Sequence, residues 1–319
     1  MQNTNEKICP ICKTTLVSSG RTFFLDELLA MWKPVEFAHV TVEELKTQSN
    51  YTQLHICPTC KLGIFLPQII GTPNFYVELQ GETSDAYYVD EKWDFDTALN
   101  DAKTAKAVIE IGCGPGVFLD RASHYVNQAI GIEYNVHALK MARKKGLSVF
   151  NVEDDLSKLK GQFDIAFSFH VLEHVSDPVA FIQAMLSWVK PNGKIGISVP
   201  NMDGPIKYIN PCVSNMPPHH ATRWTLETFQ ALADRLGLKI ERVEFEPLIV
   251  RDYYYYSTYA IDYWFPAKYW PKRLVLRLQH TANYLFGLLF KILNKFNKKE
   301  FGLLKGQSIY VLLSKQERR

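Results

Sequence analysis

A glycine-rich turn between a strand-like and a helix-like segment places the strongest constraint on the fold of this chain. Residues 108–111 (Val-Ile-Glu-Ile) are typical of a buried strand, glycines follow at 112, 114 and 116, and the apolar residues 117–119 predict a helix start. A strand that passes through a tight glycine turn into a helix builds a nucleotide-cofactor site at the tip of a parallel strand. The sequence therefore predicts an α/β fold with a parallel sheet in the central half of the chain.

The spacing of the glycines narrows the class of cofactor. Gly112 permits the sharp turn, Gly114 lets the backbone approach a ligand, and Gly116 gives the next helix room to pack on the sheet. The spacing is G-x-G-x-G, whereas dinucleotide sites favour G-x-G-x-x-G, and Pro115 removes a backbone N–H that a pyrophosphate would bind. An oxidoreductase with a nicotinamide cofactor is the alternative class that this spacing disfavours.

A second strand, residues 128–132, ends in Glu133, which follows Gly116 by 17 residues. An acidic residue at the tip of the second strand of a βαβ unit can accept hydrogen bonds from both hydroxyls of a ribose. The glycine turn and Glu133 together predict a cofactor that contains a nucleoside.

Four segments together carry a family resemblance: EIGCGPG (110–116), GIE (131–133), FDIAFSFHVLEHVSDP (163–178) and VKPNGK (189–194). Over residues 106–200 the chain resembles the class I S-adenosylmethionine-dependent methyltransferases. The resemblance implies a Rossmann-like sheet of seven strands with the cofactor across the tips of the first four, and no need for a catalytic metal. Glu133 would hold the ribose and Glu153 or Asp154 would flank the adenine, and the expected cofactor-binding residues are Glu110, Gly112, Gly114, Gly116, Glu133, Glu153, Asp154 and His170.

Two Cys-Pro-x-Cys pairs lie near the start of the chain, Cys9 with Cys12 and Cys57 with Cys60, with 44 residues between the pairs. Two such pairs can supply four thiolates to one tetrahedral zinc ion, and a four-thiolate site is structural because it leaves no open coordination position. The sequence thus predicts a small zinc-ribbon-like module. A redox role is the alternative, although one pair would suffice for it.

These features predict four parts along the chain. The zinc module covers 1–70, a linker with a lid helix covers 71–105, the methyltransferase domain covers 106–246 and 306–319, and an aromatic and basic helical insertion covers 247–305. In the linker, Tyr87, Tyr88 and Trp93 either cover the methionine end of the cofactor or pack between the domains.

Two adjacent histidines, His219 and His220, follow a Pro-Pro pair after the fifth predicted strand, where the family's substrate pocket opens. Histidine suits proton transfer near neutral pH. A similar PPHH…RWT segment occurs in zinc-module methyltransferases of bacterial surface-sugar pathways, and similar histidines act as the base in nucleotide-sugar methyltransferases with such a module. We therefore predict that His219 or His220 is the catalytic base. The alternative is that they cap a helix or bind the loop, and Arg223 and Trp224 either bind a phosphate and a sugar or anchor the loop.

Residues 263–299 contain eight Lys or Arg and no Asp or Glu, and 282–298 are amphipathic. A basic amphipathic helix with aromatic neighbours indicates a membrane surface or a lipid-linked substrate. A helical cap packed on the cofactor domain is the alternative.

The net charge of +3 is too small to indicate nucleic acid as a partner. With no signal-peptide pattern and no long apolar run, we predict a cytoplasmic protein, with the inner membrane face as a peripheral contact. The predicted function is methyl transfer from S-adenosylmethionine to a small molecule, a sugar or a lipid- or nucleotide-linked sugar, with O-methylation favoured over C-methylation. An RNA or protein methyltransferase that uses the zinc module for recognition is the alternative.

Overall fold

The computed structural model describes residues 6–33, 35–79, 92–209, 211–266, 268–295 and 305–316. Within these residues the strands form two sheets, one of four strands and one of seven. The predictions that involve Tyr87 and Tyr88 lie outside the described residues, as do residues 296–298 of the predicted amphipathic segment and the side chains of residues 289–295.

The N-terminal part of the chain forms the four-stranded antiparallel sheet. Its strands are β1 (Val17–Phe24), β2 (Tyr51–Ile56), β3 (Gly63–Leu66) and β9 (Thr222–Arg223), paired in that order. Helices α1 (Leu25–Ala30) and α2 (His39–Gln48) lie between β1 and β2, and residues 73–79 are also helical. The strand β9 comes from far outside residues 1–70, so the module is completed by the histidine-containing part of the chain.

The second sheet confirms the predicted seven strands. They are β4 (Ala107–Ile111), β5 (Gln128–Glu133), β6 (Ser148–Asn151), β7 (Phe163–Phe169), β8 (Val189–Pro200), β10 (Leu238–Phe245) and β11 (Ser308–Lys315). Their order is β10-β11-β8-β7-β4-β5-β6; the five from β8 to β6 are parallel, and β11 is antiparallel to both neighbours. The chain leaves β4 toward β5 on one side and returns to β7 on the other, and such a switch point leaves a ligand crevice at the strand tips.

Helices cover both faces of this sheet and start where local sequence dictates. Asp177 caps the helix Pro178–Trp188 (α6) by accepting from two backbone amides at 3.0 Å, and Pro178 occupies the first position. Thr225 caps the helix Leu226–Leu236 (α7), which ends at Gly237 in the left-handed conformation (φ 64°). The helices of this layer are α3 (Trp93–Ala102), α4 (Val117–Ser123), α5 (Val136–Lys144), α6 (Pro178–Trp188) and α7 (Leu226–Leu236).

The predicted insertion between the last two strands contains two helices, α8 (Val250–Trp264) and α9 (Lys272–Lys295). They pack against each other and α8 also packs on residues 205–208. Within the described residues no helix is both long and apolar enough to cross a membrane.

One apolar core joins the N-terminal module to the large sheet. It contains Cys9 and Ile64 of the module together with Trp224 and Phe229, all buried. Phe65 also donates its backbone N–H to the carbonyl of Ala221 at 3.0 Å. The module and the start of α7 therefore share a core.

Candidate active site

The glycine turn after β4 has the backbone conformation that its sequence predicts. Gly112, Gly114 and Gly116 have φ of 74°, 54° and 79°, in the left-handed region that favours glycine. A Cβ on Gly112 would lie 2.4 Å from Val171 Cγ2, and one on Gly116 would lie 2.3 Å from Leu147 Cδ1. Both positions therefore exclude a side chain for steric as well as conformational reasons.

Glu133 closes this turn from the tip of β5. Its carboxylate accepts the backbone N–H of Gly114 at 2.7 Å and that of Asn135 at 2.6 Å. Burial raises the pKa of Glu133, while these two backbone hydrogen bonds act in the opposite direction. The carboxylate is thus oriented by the same loop that would hold the cofactor.

Glu110 lies beside Glu133 in β4 and is almost fully buried. Its Oε2 atom has no hydrogen-bond partner among the described residues. Burial and then the charge of Glu133 hold the pKa of Glu110 well above its usual range. A cationic group bound at this end of the strand would be able to pair with the carboxyl group of Glu110.

Glu153 and Asp154 lie in the exposed turn after β6, the strand next to β5. The carboxylate of Asp154 accepts the backbone N–H of Asn151 at 2.7 Å, and the Asn151 side chain accepts the N–H of Glu153 at 3.0 Å. The turn places both acidic residues at the same edge of the sheet as Glu133.

His170 follows β7 with φ of 53°, an uncommon conformation for a residue other than glycine. Its Nε2 lies 3.0 Å from Asp94 Oδ2 and its Nδ1 lies 3.5 Å from Glu173 Oε1. Burial lowers the pKa of His170, but the two carboxylates outweigh burial and raise it to about 9. His170 is therefore an imidazolium held between two acids, and its ring is committed to them.

Sequence reasoning did not identify Asp94 and Glu173 as site residues. Asp94 lies in α3, and its partner His170 is far away in the sequence, so no local spacing connects them. Glu173 was visible in the HVLEH segment, but only the fold shows that its carboxylate also lies 3.9 Å from His220 Nε2. Both carboxylates are nearly inaccessible to solvent.

Three histidines cluster beyond Glu173. His219 and His220 stack with ring centroids 4.5 Å apart, and the His174 ring lies 4.6 and 4.8 Å from them. His174 Nδ1 lies 2.5 Å from the carbonyl oxygen of His219, and His220 Nδ1 lies 3.2 Å from Asn215 Oδ1. These acceptors assign the proton to Nδ1 in both rings, which leaves Nε2 with a lone pair.

The two predicted base residues are neutral at physiological pH. Burial first, and then the neighbouring histidines, hold the pKa of His219 and of His220 well below the usual value. Trp32 and Tyr76 of the N-terminal part contact the His219 ring, with centroids 5.4 and 5.9 Å away. The module thus forms one wall of the histidine cluster.

Arg223 and Trp224 both anchor the loop. Arg223 donates to the backbone carbonyl of Asn215 at 2.9 Å and stacks its guanidinium over Phe65. Trp224 is fully buried, and its indole N–H donates to Thr222 Oγ1 at 2.9 Å. Of the two roles that the sequence left open for Trp224, the structure supports the anchoring of the loop.

The four predicted metal ligands lie together. Cys9 Sγ is 3.6 Å from Cys60 Sγ and Cys12 Sγ is 3.2 Å from Cys57 Sγ, and all four sulfurs are within 4.8 Å of one another. A tetrahedral zinc with Zn–S bonds of about 2.3 Å needs sulfurs about 3.8 Å apart.

The backbone has the same conformation and the same hydrogen bond at each of the two cysteine pairs. Lys13 and Lys61, each directly after a pair, have φ of 63° and 62°. Their N–H groups donate to the carbonyls of Cys9 and Cys57 at 3.2 and 3.1 Å. Two matching turns that present four sulfurs to one point fit a structural zinc ion.

The fold and the turn at β4 define the class: this is a Rossmann-like α/β fold of the kind found in class I S-adenosylmethionine-dependent methyltransferases. A family model described as a methyltransferase domain matches residues 88–243. Residues 88–243, just under half of the chain, are therefore similar to a methyltransferase domain.

Curated relatives match a shorter stretch. A ubiquinone biosynthesis O-methyltransferase of Xanthomonas oryzae is 33% identical over 102 residues, which are 30% of this chain and 43% of the relative. One from Escherichia coli is 29% identical over 107 residues, or 31% of this chain and 45% of the relative. The chain thus spans less than half the length of the curated relatives that it matches.

Solved structures with a similar fold are distant in sequence. An S-adenosylmethionine-dependent methyltransferase from Archaeoglobus fulgidus is 17% identical, with 76% of this chain and all of that chain covered and a TM-score of 0.48. The plantazolicin methyltransferase BpumL, in complex with SAH, is 13% identical, with coverages of 77% and 91% and a TM-score of 0.42.

Proposed function

We propose that the protein transfers a methyl group from S-adenosylmethionine to a hydroxyl group of a small molecule. The observation that carries this proposal is the position of residues 170–174 between the glycine turn and the two histidines. On one side Val171 fills the space beside Gly112. On the other side the carbonyl of Glu173 accepts the backbone N–H of Ala221 at 2.9 Å. One short segment therefore holds the methyl-donor site next to the predicted base.

The sulfonium of the bound cofactor supplies an activated methyl group. The chain must then align the acceptor oxygen and take its proton, and a neutral imidazole of His219 or His220 is suited to accept it. The new bond joins the acceptor oxygen to the methyl carbon, the carbon–sulfur bond breaks, and the proton moves to the imidazole. The nearby carboxylate of Glu173 stabilises the imidazolium that forms.

We propose that the acceptor is a sugar or a lipid- or nucleotide-linked sugar. O-methylation is supported by the names of the curated relatives, which are O-methyltransferases. The PPHH…RWT segment resembles that of methyltransferases in surface-sugar pathways. The alternative is an RNA or protein methyltransferase that uses the zinc module for recognition. RNA is the less favoured substrate because the net charge is only +3 and the first 44 residues carry several acidic side chains.

We also propose that Cys9, Cys12, Cys57 and Cys60 bind one structural zinc ion, and that the chain divides at the boundaries predicted from its sequence. The shared core and the strand β9 support a zinc module that shapes the acceptor side of the site. A cytoplasmic location remains part of the proposal.

A methyl-transfer assay tests the function. The protein is incubated with labelled S-adenosylmethionine and fractionated cell extract, and the labelled product is identified by mass spectrometry. A labelled glycan or nucleotide sugar supports the proposal. Label found only in RNA or protein would replace it with the alternative, and stabilisation by NAD rather than by S-adenosylmethionine in a thermal-shift measurement would overturn it.

Substitution of the histidines tests the base. We expect His219→Ala or His220→Ala to lower kcat by about 100- to 10,000-fold, the usual contribution of general-base catalysis, with S-adenosylmethionine affinity within about threefold of wild type. His280→Ala, an exposed histidine of α9, serves as the control. Full turnover in both variants would show that neither is the base, and loss of bound divalent metal in either would show that the three-histidine cluster is a metal site.

The number of protons released on cofactor binding tests the proposed role of Glu110. Because the pKa of Glu110 is raised in the free protein, we expect a bound cation to make this group release its proton. Calorimetric titration with S-adenosylmethionine, repeated over a pH series in two buffers of different ionisation enthalpy, should then give different apparent enthalpies at pH values where the group is protonated in the free protein. Glu110→Gln should remove the difference, and equal enthalpies for the wild type would contradict this role.

A further inference from the structure

Exposed aromatic and aliphatic side chains lie together at the turn between α8 and α9 and along α9. Trp264 is 65% exposed, Tyr269 is 74% exposed and Tyr284 is 68% exposed, although such side chains are usually half-buried or more. We call this surface the hairpin patch, and its members are Trp264, Tyr269, Trp270, Leu274, Tyr284, Leu285 and Leu288.

The hairpin patch is not what attaches the two helices to the protein. The buried Tyr256 of α8 donates its hydroxyl to the carbonyl of Lys305 at 2.7 Å and packs edge-on against Tyr208. Val275 is buried on the inner side of α9, and Gln279, one turn later, donates to Asp262 of α8 at 2.7 Å. The inner faces therefore provide the packing that a helical cap requires. The outer apolar side chains do not contribute to it.

The outer apolar residues of α9 form a stripe. Leu274, Leu285 and Leu288 are separated by 11 and 3 residues, which places them on one side of a helix with about 3.6 residues per turn. Val275 points about 100° away from Leu274, toward α8, by the same geometry. Arg277 and Thr281 lie on the same side of the helix, so this side presents leucines together with a basic residue, next to a packed face, as an interfacial helix does.

The charged residues of the turn before α9 and of α9 itself are all basic, although the exposed Asp262 of α8 lies beside them and accepts from Gln279. No Asp or Glu occurs from residue 263 to residue 299, a stretch with eight Lys or Arg, although the whole chain has 33 acidic residues. Lys268, Lys272, Arg273 and Arg277 are all exposed. Two copies of this surface face to face would bring like charges together, which disfavours a symmetric dimer.

We propose that the hairpin patch docks the protein on the surface of a membrane that contains anionic lipids. Trp and Tyr side chains favour the boundary between hydrocarbon and headgroups, and Lys and Arg bind the lipid phosphates. Helix α9 lies in the plane of the surface in this arrangement, with its apolar stripe toward the acyl chains. The proposal stands independently of the methyl-transfer activity.

Flotation of the full chain with vesicles tests the proposal. We expect the protein to float with vesicles of phosphatidylglycerol and phosphatidylcholine and to stay at the bottom with phosphatidylcholine alone. Binding should weaken at least severalfold in high salt, because salt screens the basic residues.

Two sets of substitutions separate the contributions. Trp264→Ser with Tyr269→Ser and Trp270→Ser, and separately Lys268→Glu with Lys272→Glu and Arg277→Glu, should each reduce the bound fraction at least fivefold. Charge reversal at three other exposed lysines, Lys158, Lys160 and Lys315, is the matched control and should leave binding intact.

Two results would overturn the proposal. The first is wild-type protein that does not float with anionic vesicles. The second is a dimer in light scattering that the aromatic substitutions convert to monomer, which would show that a second copy covers the patch. Circular dichroism of the variants checks that α8 and α9 are still folded, so that loss of binding reports on the surface.

Discussion

Replacing Cys57 by serine is expected to release the zinc ion and to lower the melting temperature by at least about 10 °C. A structural zinc site contributes about 10 kcal/mol or more in small zinc domains, comparable with the whole stability of a typical protein. Loss of about 3 to 5 kcal/mol already corresponds to this shift for a domain of this size, at about 2–4 °C per kcal/mol. Differential scanning fluorimetry and elemental analysis measure the two quantities.

The same experiment has a matched control within the chain. Cys212 is a half-buried cysteine outside the cluster, and its Sγ lies 3.4 Å from Ser214 Oγ. Cys212→Ser should keep one zinc per chain and a melting temperature within a few degrees of wild type. A Cys57→Ser protein that retains one zinc at full stability would show that the four thiols do not form a zinc site.

Replacing Glu133 by alanine is expected to weaken S-adenosylmethionine binding by about 100-fold. Two hydrogen bonds from ribose hydroxyls to a charged acceptor are worth about 3 kcal/mol together, and 1.4 kcal/mol is a factor of ten in affinity. Isothermal titration calorimetry measures the change. Glu133→Gln keeps one acceptor and should fall between alanine and wild type, whereas Glu36→Ala, at an exposed acidic residue, should bind normally.

The thermal stability of the Glu133 variants shows whether weaker cofactor binding is due to unfolding. The pKa of Glu133 is raised in the fold, so its ionised form costs stability at neutral pH, and that cost grows as the pH rises through the folded pKa. We therefore expect the cofactor-free Glu133→Gln protein to melt no lower than wild type at pH 7.5. Unchanged cofactor affinity in both Glu133 variants would contradict a ribose-binding role.

The central sheet was predictable because its signals are local. Gly112 must turn sharply after an apolar strand, Glu133 ends the next strand, and the Thr225 cap and Gly237 stop bracket α7. Each of these depends on residues within one βα unit, so periodicity and turn chemistry predict it well. The two Cys-Pro-x-Cys turns are local in the same sense.

The contacts between segments were not predictable in the same way. Nothing near Asp94 indicates that it pairs with His170, and nothing near His220 indicates that Glu173 faces it. The role of Trp224 was left open for the same reason, because a Trp after a basic residue in a loop is equally compatible with a sugar site and with an anchor of the loop. Only the packing of segments that are distant in the sequence decides these cases.

The strand β9 has a consequence for the evolution and engineering of this protein. Its residues Thr222 and Arg223 pair with Ile64 and Gly63 of β3, so the last strand of the N-terminal sheet is encoded beside the two histidines. An exchange of the N-terminal module between relatives would leave this edge with a mismatched partner unless the segment 211–225 were exchanged with it. Acceptor specificity in such chimaeras should therefore follow the two segments as a pair, inherited or grafted together, and neither one alone.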